Sequence, residues 1–213
     1  MQEIPFGSGR LFQSDSDPAA LIVYICSRSR QDYEALLPTG QAAYALALFP
    51  VDDWNRELSP WAAPAVFGEE AFAGEAASTL HRLESALDRL PEPLRALPAY
   101  LCGYSLGGLF ALWALHESPR FAGCAAVSGS FWFPGLCEYV RSRPLPPETK
   151  VYLSLGKKEA KSRSRQMRTV GESLQELSAF YSLCCCSVLE WNEGNHFTDP
   201  MGRTLRGIRW LLQ

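Results

Sequence analysis

Short, continuously apolar runs alternate along the chain with longer stretches in which apolar and polar residues mix. Such runs predict strands that are buried on both faces, as in a parallel sheet. The predicted strands are Ala20–Cys26, Ala43–Phe49, Pro98–Cys102, Phe121–Val127, Lys150–Leu155 and Cys184–Trp191. Residues 1–18, which are rich in glycine, serine and aspartate, indicate a loose or hairpin-like start.

Helical patterns separate these strands. The predicted helices are Gln31–Leu37, a segment that starts at Glu69, Gly107–Leu115, residues from about 163 to 180, and Pro200–Leu212. In the second helix the apolar face consists of Ala76, Leu80, Leu83, Leu87 and Leu90. We expect Pro91 and Pro93 to end that helix. In the last helix the apolar side consists of Met201, Leu205, Ile208 and Leu212.

Strands that alternate with helices predict an α/β fold, with a mostly parallel central sheet and helices on both faces. The chain contains no internal repeat, low-complexity tract or linker, so we expect a single domain over residues 1–213. The formal net charge of −3 gives no reason to expect a nucleic-acid partner.

The N-terminus lacks a basic segment followed by an apolar one, so no signal peptide is apparent. Leu21–Cys26, the longest early apolar run, is too short to span a bilayer. No C-x-x-C pair occurs among the seven cysteines, and we expect most of them in the core. These features predict a cytoplasmic protein in a reducing compartment, without a membrane partner.

The first candidate for chemistry is Ser105. It lies in Gly103-Tyr104-Ser105-Leu106-Gly107, which fits the G-x-S-x-G pattern of a nucleophile elbow. In such an elbow a strand turns sharply into a helix, and the serine is exposed at the turn. The alternative is a glycine-rich turn with an idle serine. The apolar strand before it and the apolar helix after it are the context that the motif requires.

A serine hydroxyl needs a base to take its proton, and the base needs a third group to fix its tautomer. Of the three histidines, His81 lies in an amphipathic helix, and His116 ends the buried helix away from the elbow. His196 follows the last predicted strand, where strand ends gather and sites form in open α/β sheets. A lone loop histidine is usually a surface residue, but His196 is the candidate base.

The acid is expected between the serine and the histidine, because the elbow fold has that chain order. Glu159 follows the strand that ends at Leu155 and is the candidate acid, although it could be an exposed glutamate in a lysine-rich turn. Asp199 is the runner-up, and Asp52 and Asp53 are a third possibility.

Two backbone N–H groups are needed to hold an oxyanion. One is expected from Leu106, the residue after the serine, and the other from the loop after Cys26, either Ser27 or Arg28. The region of Trp54 is a less favoured source of the second donor.

Aromatic residues flank the candidate site, several of them in the long polar and aromatic loop 52–64. The candidate substrate-binding residues are Tyr104, Trp54, Asn55, Trp61 and Trp132. These side chains could line an acyl or aromatic pocket, and packing of the tryptophans onto the core is an equal alternative. The nearby basic run consists of Lys157, Lys158, Lys161, Arg163, Arg165 and Arg168. It fits a solvated helix face or, alternatively, the steering of an anionic substrate.

Three segments, 103–107, Ser154–Glu159 and Glu190–His196, resemble in this order the α/β-hydrolase superfamily. Within it the chain is similar to the compact esterase-D-like and siderophore-esterase-like branch, from about residue 20 to the end. The resemblance implies a serine hydrolase without metal or organic cofactor. The chain departs from many members because it has little room for a cap domain and no His-Gly oxyanion motif after Cys26.

Together these features predict a serine esterase that acts on small or medium acyl esters, with a small-molecule ester as its partner. The alternative from another class is a non-catalytic binding protein with the same fold. Thioesterase and peptidase activities remain open within the hydrolase hypothesis, because a fold does not fix a substrate.

Overall fold

The computed structural model describes residues 1–14, 17–28, 32–39, 43–66, 68–161 and 168–213. The strands are β1 (Gln2–Phe6), β2 (Gly9–Gln13), β3 (Ala20–Ser27), β4 (Tyr44–Val51), β5 (Ala62–Ala63), β6 (Phe72–Ala73), β7 (Ala99–Tyr104), β8 (Phe121–Val127), β9 (Lys150–Gly156) and β10 (Cys186–Asn192). The α-helices are α1 (Trp54–Glu57), α2 (Ala76–Asp88), α3 (Glu92–Arg95), α4 (Leu106–Glu117), α5 (Leu136–Arg141), α6 (Val170–Cys184) and α7 (Pro200–Leu211). The connections include 3₁₀ turns at Asp32–Leu36 and Glu159–Lys161.

The main sheet has the strand order β1-β2-β4-β3-β7-β8-β9-β10. β1 and β2 form an antiparallel hairpin that pairs antiparallel with β4, and each neighbouring pair from β4 to β10 is parallel. β4 is buried along its whole length, as expected for a continuously apolar strand inside a sheet. The predicted α/β class, the mostly parallel sheet and the hairpin at the start are confirmed.

Side chains of the central strands alternate between two apolar layers. In β3, Leu21 and Val23 belong to the layer that contains α2, α4 and α6, whereas Ile22 belongs to the layer under α7. α4 is buried from Gly107 to Leu115, because it packs on β7 and β8 beneath other elements. Helices therefore cover both faces, and the carboxyl ends of the parallel strands meet at one edge of the sheet.

The segment 52–75 differs from the prediction of an irregular loop followed by a helix from Glu69. It contains α1 and the short antiparallel pair β5–β6, and α2 begins after it. Gly74 explains the late start of the helix, because its φ is +81° and a Cβ there would lie 2.5 Å from the Trp61 backbone. The Gly74 N–H donates instead to Ser59 Oγ at 2.8 Å, which ties the segment to the end of α1.

The predicted role of the two prolines needs correction. α2 ends at Asp88, and Pro91 and Pro93 lie at the start of α3, where the missing N–H of proline removes no helical hydrogen bond. Arg163 and Arg165, at the predicted start of the next long helix, lie outside the described residues, as does Gln31. In the described part of the chain, that helix is α6.

The buried side of α7 also differs from the prediction. It consists of Arg203, Thr204, Gly207, Ile208 and Leu211. Gly207 lets the helix approach the sheet, because a Cβ there would lie 2.9 Å from Ala125 Cβ and 3.1 Å from the Tyr152 ring. Of the predicted apolar side, only Ile208 is fully buried, and Met201, Leu205 and Leu212 are half-buried.

All seven cysteines are free thiols. Cys26, Cys102 and Cys124 are buried in the sheet, as predicted, and burial raises the pKa of the Cys102 and Cys124 thiols. The others, from Cys137 to Cys186, are half-buried or exposed. Among the described residues, none of the helices combines the length and the apolar character that a bilayer crossing requires.

Candidate active site

The sharp turn between β7 and α4 carries Ser105, whose backbone has a φ of +58° and a ψ of −121°. A positive φ is uncommon for a residue with a side chain, and strain of this kind clusters at functional sites. Gly103 permits the turn, because a Cβ there would lie 2.2 Å from the carbonyl carbon of Gly107. The turn therefore presents a half-buried serine at the carboxyl end of β7, beside the N-terminus of α4.

Glu159 and His196 are in direct contact at the same edge of the sheet. His196 Nδ1 lies 2.7 Å from Glu159 Oε2. Because a carboxylate can only accept, Nδ1 carries the hydrogen, and Nε2 is the ring nitrogen that can take a proton. Burial favours a raised pKa for Glu159, but the hydrogen bond and charge of His196, with the Gly156 N–H, outweigh it and hold that pKa below its usual value.

Arg203 is a buried cation beneath this pair, with a side chain that is 1% exposed. Its Nη1 donates to Glu159 Oε1 at 3.0 Å. Its Nη2 donates to the carbonyl oxygens of Glu193 at 2.6 Å and Asn195 at 3.0 Å. One guanidinium thus holds both the carboxylate and the loop that carries the histidine, and its own charge is paired, as a buried charge requires.

Aromatic residues enclose the imidazole. The Tyr104 hydroxyl donates to the carbonyl oxygen of His196 at 2.6 Å, and the centroids of the two rings are 5.2 Å apart. Phe197 contacts the imidazole edge-on, yet 81% of its surface is exposed. An exposed phenyl ring beside the candidate base offers an apolar surface to a ligand.

Two cavities meet at Ser105, His196 and Phe197. The first has a volume of about 400 Å³, and its lining includes Tyr24, Cys26, Ser27, Trp54, Tyr104 and Met201. The second has a volume of about 560 Å³, and its lining includes Ser130, Trp132, Lys158, Glu159, Lys161 and Val170. Both volumes lie in the range of small-molecule sites, so the serine stands between two spaces that could each hold part of a ligand.

No protein-family model matches the chain. The protein YbbA of Bacillus subtilis (strain 168), itself described as uncharacterized, is 26% identical over 120 residues, which are 52% of this chain and 48% of YbbA. The match therefore spans about half the length of that relative.

Solved structures match almost the whole chain. The siderophore hydrolase EstB from Aspergillus nidulans matches with a TM-score of 0.67 at 18% identity, over 97% of this chain and 93% of that chain. The Zea mays acyl-protein thioesterase 2 matches with a TM-score of 0.61 at 14% identity, over 98% of this chain and 100% of that chain. The chain has the α/β-hydrolase fold. At these identities, the resemblance to the siderophore-esterase-like branch holds at the level of the fold.

The α/β-hydrolase fold brings most of the predicted site residues together. Those that line the two cavities are Ser105, His196, Glu159, Ser27, Tyr104, Trp54 and Trp132. Leu106 is the first residue of α4, and the first N–H groups of a helix have no acceptor within it. Its N–H group is therefore available beside the serine.

Arg28 is not available as an oxyanion donor, contrary to one of the two sequence-based alternatives. Its N–H donates to the carbonyl oxygen of Val51 at 3.2 Å, which extends the β3–β4 ladder. Its guanidinium pairs with Asp52 at 2.6 Å, and this interaction raises the pKa of Arg28. The backbone N–H and the guanidinium of Arg28 are thus both bonded on the β4 side of the sheet.

Trp61 and Asn55, predicted to bind substrate, lie outside the described lining of both cavities. Trp61 packs against Phe133 and Tyr139, with ring centroids 5.7 and 5.5 Å apart. The Asn55 carbonyl oxygen accepts from Ser59 Oγ at 2.6 Å, within the turn after α1. Trp61 thus packs the 52–75 segment against its neighbours, which is the packing alternative that the sequence left open for the tryptophans.

The other histidines and carboxylates considered from the sequence do not contact His196 in the structure. His81 is exposed on α2, and His116 lies at the far end of α4. Asp53 and Asp199 cap the N-termini of α1 and α7, each accepting a backbone N–H. Within the described residues, Glu159 is the carboxylate bonded to the candidate base.

Sequence reasoning missed Arg203 and Phe197. An arginine in a helix with alternating apolar residues is expected to face solvent, and nothing local distinguishes Arg203. Its one signal is the position seven residues after His196, in an element that must pack beneath the histidine loop. Phe197 had a clearer signal, because a phenylalanine directly after a candidate base in a polar loop has no apolar neighbours to bury it.

The groups that converge are a hydroxyl, an imidazole, a carboxylate and backbone N–H groups. Such a set can activate a serine oxygen and form a covalent intermediate. In the described part of the chain, no group of three or more histidine, cysteine, aspartate or glutamate side chains is arranged to hold a metal ion.

Proposed function

We propose that the protein is a serine hydrolase that cleaves carboxylic esters of small or medium acyl groups. The observation that carries the proposal is the 2.7 Å contact between Glu159 and His196. Both residues line the second cavity together with Ser105, whose backbone is strained. Solved structures with the same fold include a siderophore hydrolase and an acyl-protein thioesterase, which supports hydrolysis at an ester-type carbonyl.

In this mechanism Ser105 Oγ attacks the ester carbonyl carbon, and its proton passes to His196 Nε2. Glu159 holds the imidazole by Nδ1 and stabilises the imidazolium that forms. When the tetrahedral intermediate collapses, the bond to the alkoxy oxygen breaks, and His196 returns the proton to the departing alcohol. Water then attacks the acyl-serine by the same route, which releases the acid and restores Ser105.

The oxyanion is held by the N–H groups of Leu106 and Ser27. Successive N–H groups of a parallel strand point to opposite neighbours. The Arg28 N–H points to β4, so the Ser27 N–H points to the β7 side, where the elbow lies. This argument selects Ser27 from the two alternatives that the sequence left open.

The two cavities receive the two parts of the ester on either side of the reacting carbon. Tyr104 and Trp54 contribute to the first and Trp132 to the second, as substrate-contacting side chains. Phe197 reaches both cavities and covers the imidazole, so it contacts whichever part lies next to Nε2.

Labelling by a fluorophosphonate probe tests the proposal, followed by mass spectrometry to find the modified residue. We expect one adduct on Ser105, and loss of ester hydrolysis in Ser105→Ala with an unchanged melting temperature. Ser130→Ala is the matched control, since Ser130 lines the second cavity without lying at the elbow. An unlabelled Ser105, or Ser105→Ala at the wild-type rate, would refute the mechanism. A panel of esters, thioesters and anilides identifies the preferred bond.

A further inference from the structure

The two cavities differ in the charge of their linings. In the described residues, the first has no lysine, arginine, aspartate or glutamate, whereas the second has Lys158, Lys161 and Glu159. We propose that the second cavity binds an anionic group of the ester, a carboxylate or a group of similar charge, through the ammonium groups of Lys158 and Lys161. This inference rests on the proposed function and names the substrate class for it.

Both lysines belong to the turn that carries the candidate acid, so their backbone positions are fixed relative to the site. The Lys158 N–H donates to the carbonyl oxygen of Gly194 at 3.0 Å, in the loop that leads to His196. The Lys161 N–H donates to the carbonyl oxygen of Lys158 at 3.2 Å and closes the turn. The turn that places Glu159 beside His196 therefore also places two lysines in the lining of the same cavity.

The positive charge of this cavity is not cancelled by its own carboxylate. Glu159 is already paired with the Arg203 guanidinium and bonded to His196. Neither Lys158 nor Lys161 forms a salt bridge with a described residue, whereas the neighbouring Lys157 pairs with Glu193 and lies outside the described lining. A ligand anion would thus supply an ion-pair partner that the described residues do not supply at these two positions.

The rest of the lining fits a carbon skeleton that joins the anion to the ester. Trp132 and Val170 are buried, and Phe197 offers an exposed ring at the junction of the cavities. Apolar walls with a small number of charged groups are the usual composition of a site that orients a small organic ligand. The cavity therefore favours an ester with an anionic group on one side of the scissile bond and an uncharged group on the other.

The test compares esters that differ only in the charge of one part. One pair is 4-acetoxybenzoate and 4-acetoxybenzamide, in which the anion lies on the alkoxy side. The other is mono-4-nitrophenyl glutarate and its methyl ester, in which the anion lies on the acyl side. For each pair, the ratio of kcat/KM for the anionic and neutral esters is measured in wild type, in Lys158→Gln/Lys161→Gln and in Lys157→Gln.

For one of the two pairs, we expect the double variant to lower the ratio by about five- to tenfold, as two partly exposed ion pairs would. Lys157→Gln removes a charge that pairs with Glu193 and lies outside the described lining, so it should keep the wild-type ratio. High salt should reduce the wild-type preference for the anion, because exposed charges are screened.

The inference is overturned if both ratios survive in the double variant while the neutral esters are hydrolysed normally. It is also overturned if Lys157→Gln changes the ratio as much, because the effect would then come from overall charge. Failure of the proposed function looks different: none of the esters would show hydrolysis that depends on Ser105, and both proposals would fall together.

Discussion

The Arg203 guanidinium and the Glu159 carboxylate form a buried ion pair, with Nη1 3.0 Å from Oε1. The other carboxylate oxygen, Oε2, is the one that contacts His196 Nδ1. The two oxygens are therefore divided between a permanent cation and the candidate base. This division fixes the plane of the carboxylate, and the carboxylate in turn fixes the direction of the imidazole. Arg203 does this from outside the described lining of both cavities.

Arg203 is thus expected to act as a positioning residue. Arg203→Met removes one donor each from Glu159 Oε1 and from the carbonyl oxygens of Glu193 and Asn195. The Gly156 N–H still donates to Glu159 Oε1, but no cation among the described residues then faces the buried carboxylate on that side. We expect the free energy of unfolding to fall by about 3 kcal/mol, because a buried charge loses its partner. We expect kcat/KM to fall about a hundredfold at a temperature where the variant is folded, because the imidazole is misplaced.

A pH profile separates positioning from a merely structural role. Loss of a nearby positive charge favours a protonated group, so the acidic limb of kcat/KM should move to higher pH in Arg203→Met. Arg203→Lys keeps the charge and should keep the limb near its wild-type position. Arg206→Met is the matched control, since Arg206 lies on the same helix but pairs with Glu190. Identical limbs in wild type and Arg203→Met would leave Arg203 a structural role only.

The acid assignment gives a second prediction. Glu159→Gln keeps the size of the side chain but removes the charge that stabilises the imidazolium. In the serine-protease triad, the comparable amide change costs about ten-thousand-fold in rate. We expect a loss of about a hundredfold or more in kcat/KM, or about 3 kcal/mol of transition-state stabilisation.

Asp199→Asn is the matched control for Glu159→Gln. Asp199 Oδ1 accepts from the Gly202 N–H at 3.1 Å and caps α7, and asparagine caps helices about as well as aspartate. Its kcat/KM on the same ester should stay near the wild-type value. If Asp199→Asn is the crippled variant and Glu159→Gln is nearly normal, the acid is misassigned, while Ser105 and His196 could still stand.

The positions of Ser105, Glu159 and His196 could be predicted because each follows a strand of a parallel sheet. Strand ends of one direction meet at one edge, so chain order and strand prediction together place such loops near each other. Arg203 could not be predicted, because only the packed fold shows that it lies under the histidine loop. For Trp61 the sequence left two alternatives open, since an aromatic residue in a loop has the same local pattern whether it lines a cavity or covers the core.

The elbow glycines, Gly103 and Gly107, give a third prediction, in which the same substitution has different effects on stability at the two positions. A Cβ at Gly103 would lie 2.2 Å from the Gly107 backbone, so Gly103→Ala must move the turn itself. A Cβ at Gly107 would meet Ile25 O at 3.5 Å and the Trp54 ring at 3.6 Å, which are ordinary contacts.

We expect Gly103→Ala to lower the free energy of unfolding by about 3 kcal/mol and to abolish labelling of Ser105 by a fluorophosphonate. Gly107→Ala should remain stable and labelled, because alanine is also the better helix former. Chemical denaturation and probe labelling measure both effects. Equal behaviour of the two variants would contradict the steric account of the elbow.

His116 gives a prediction about pH, at a place remote from the candidate site. Its Nδ1 lies 2.8 Å from the carbonyl oxygen of Arg143, and its Nε2 lies 2.7 Å from the Tyr181 hydroxyl. The carbonyl can only accept, so Nδ1 carries the hydrogen, and Nε2 accepts from Tyr181 in the neutral ring. Burial, with the nearby charge of Arg143, lowers the pKa of His116 to about 4.

The folded protein therefore binds a proton at His116 less readily than the unfolded chain, whose histidine has the ordinary pKa of 6.5. The resulting stabilisation is fully present above that ordinary value and is lost as the pH falls towards about 4. Between pH 7 and pH 5, protonation of His116 should account for a loss of about 2 kcal/mol in the free energy of unfolding.

Urea denaturation at both pH values measures the loss in wild type, in His116→Gln and in His81→Gln. The His116 variant should be less stable at pH 7 but should lose about 2 kcal/mol less on acidification than wild type, whereas the variant of the exposed His81 should follow wild type. Equal losses in wild type and His116→Gln would mean that the half-buried His116 ring is not what makes the fold sensitive to acid in this range.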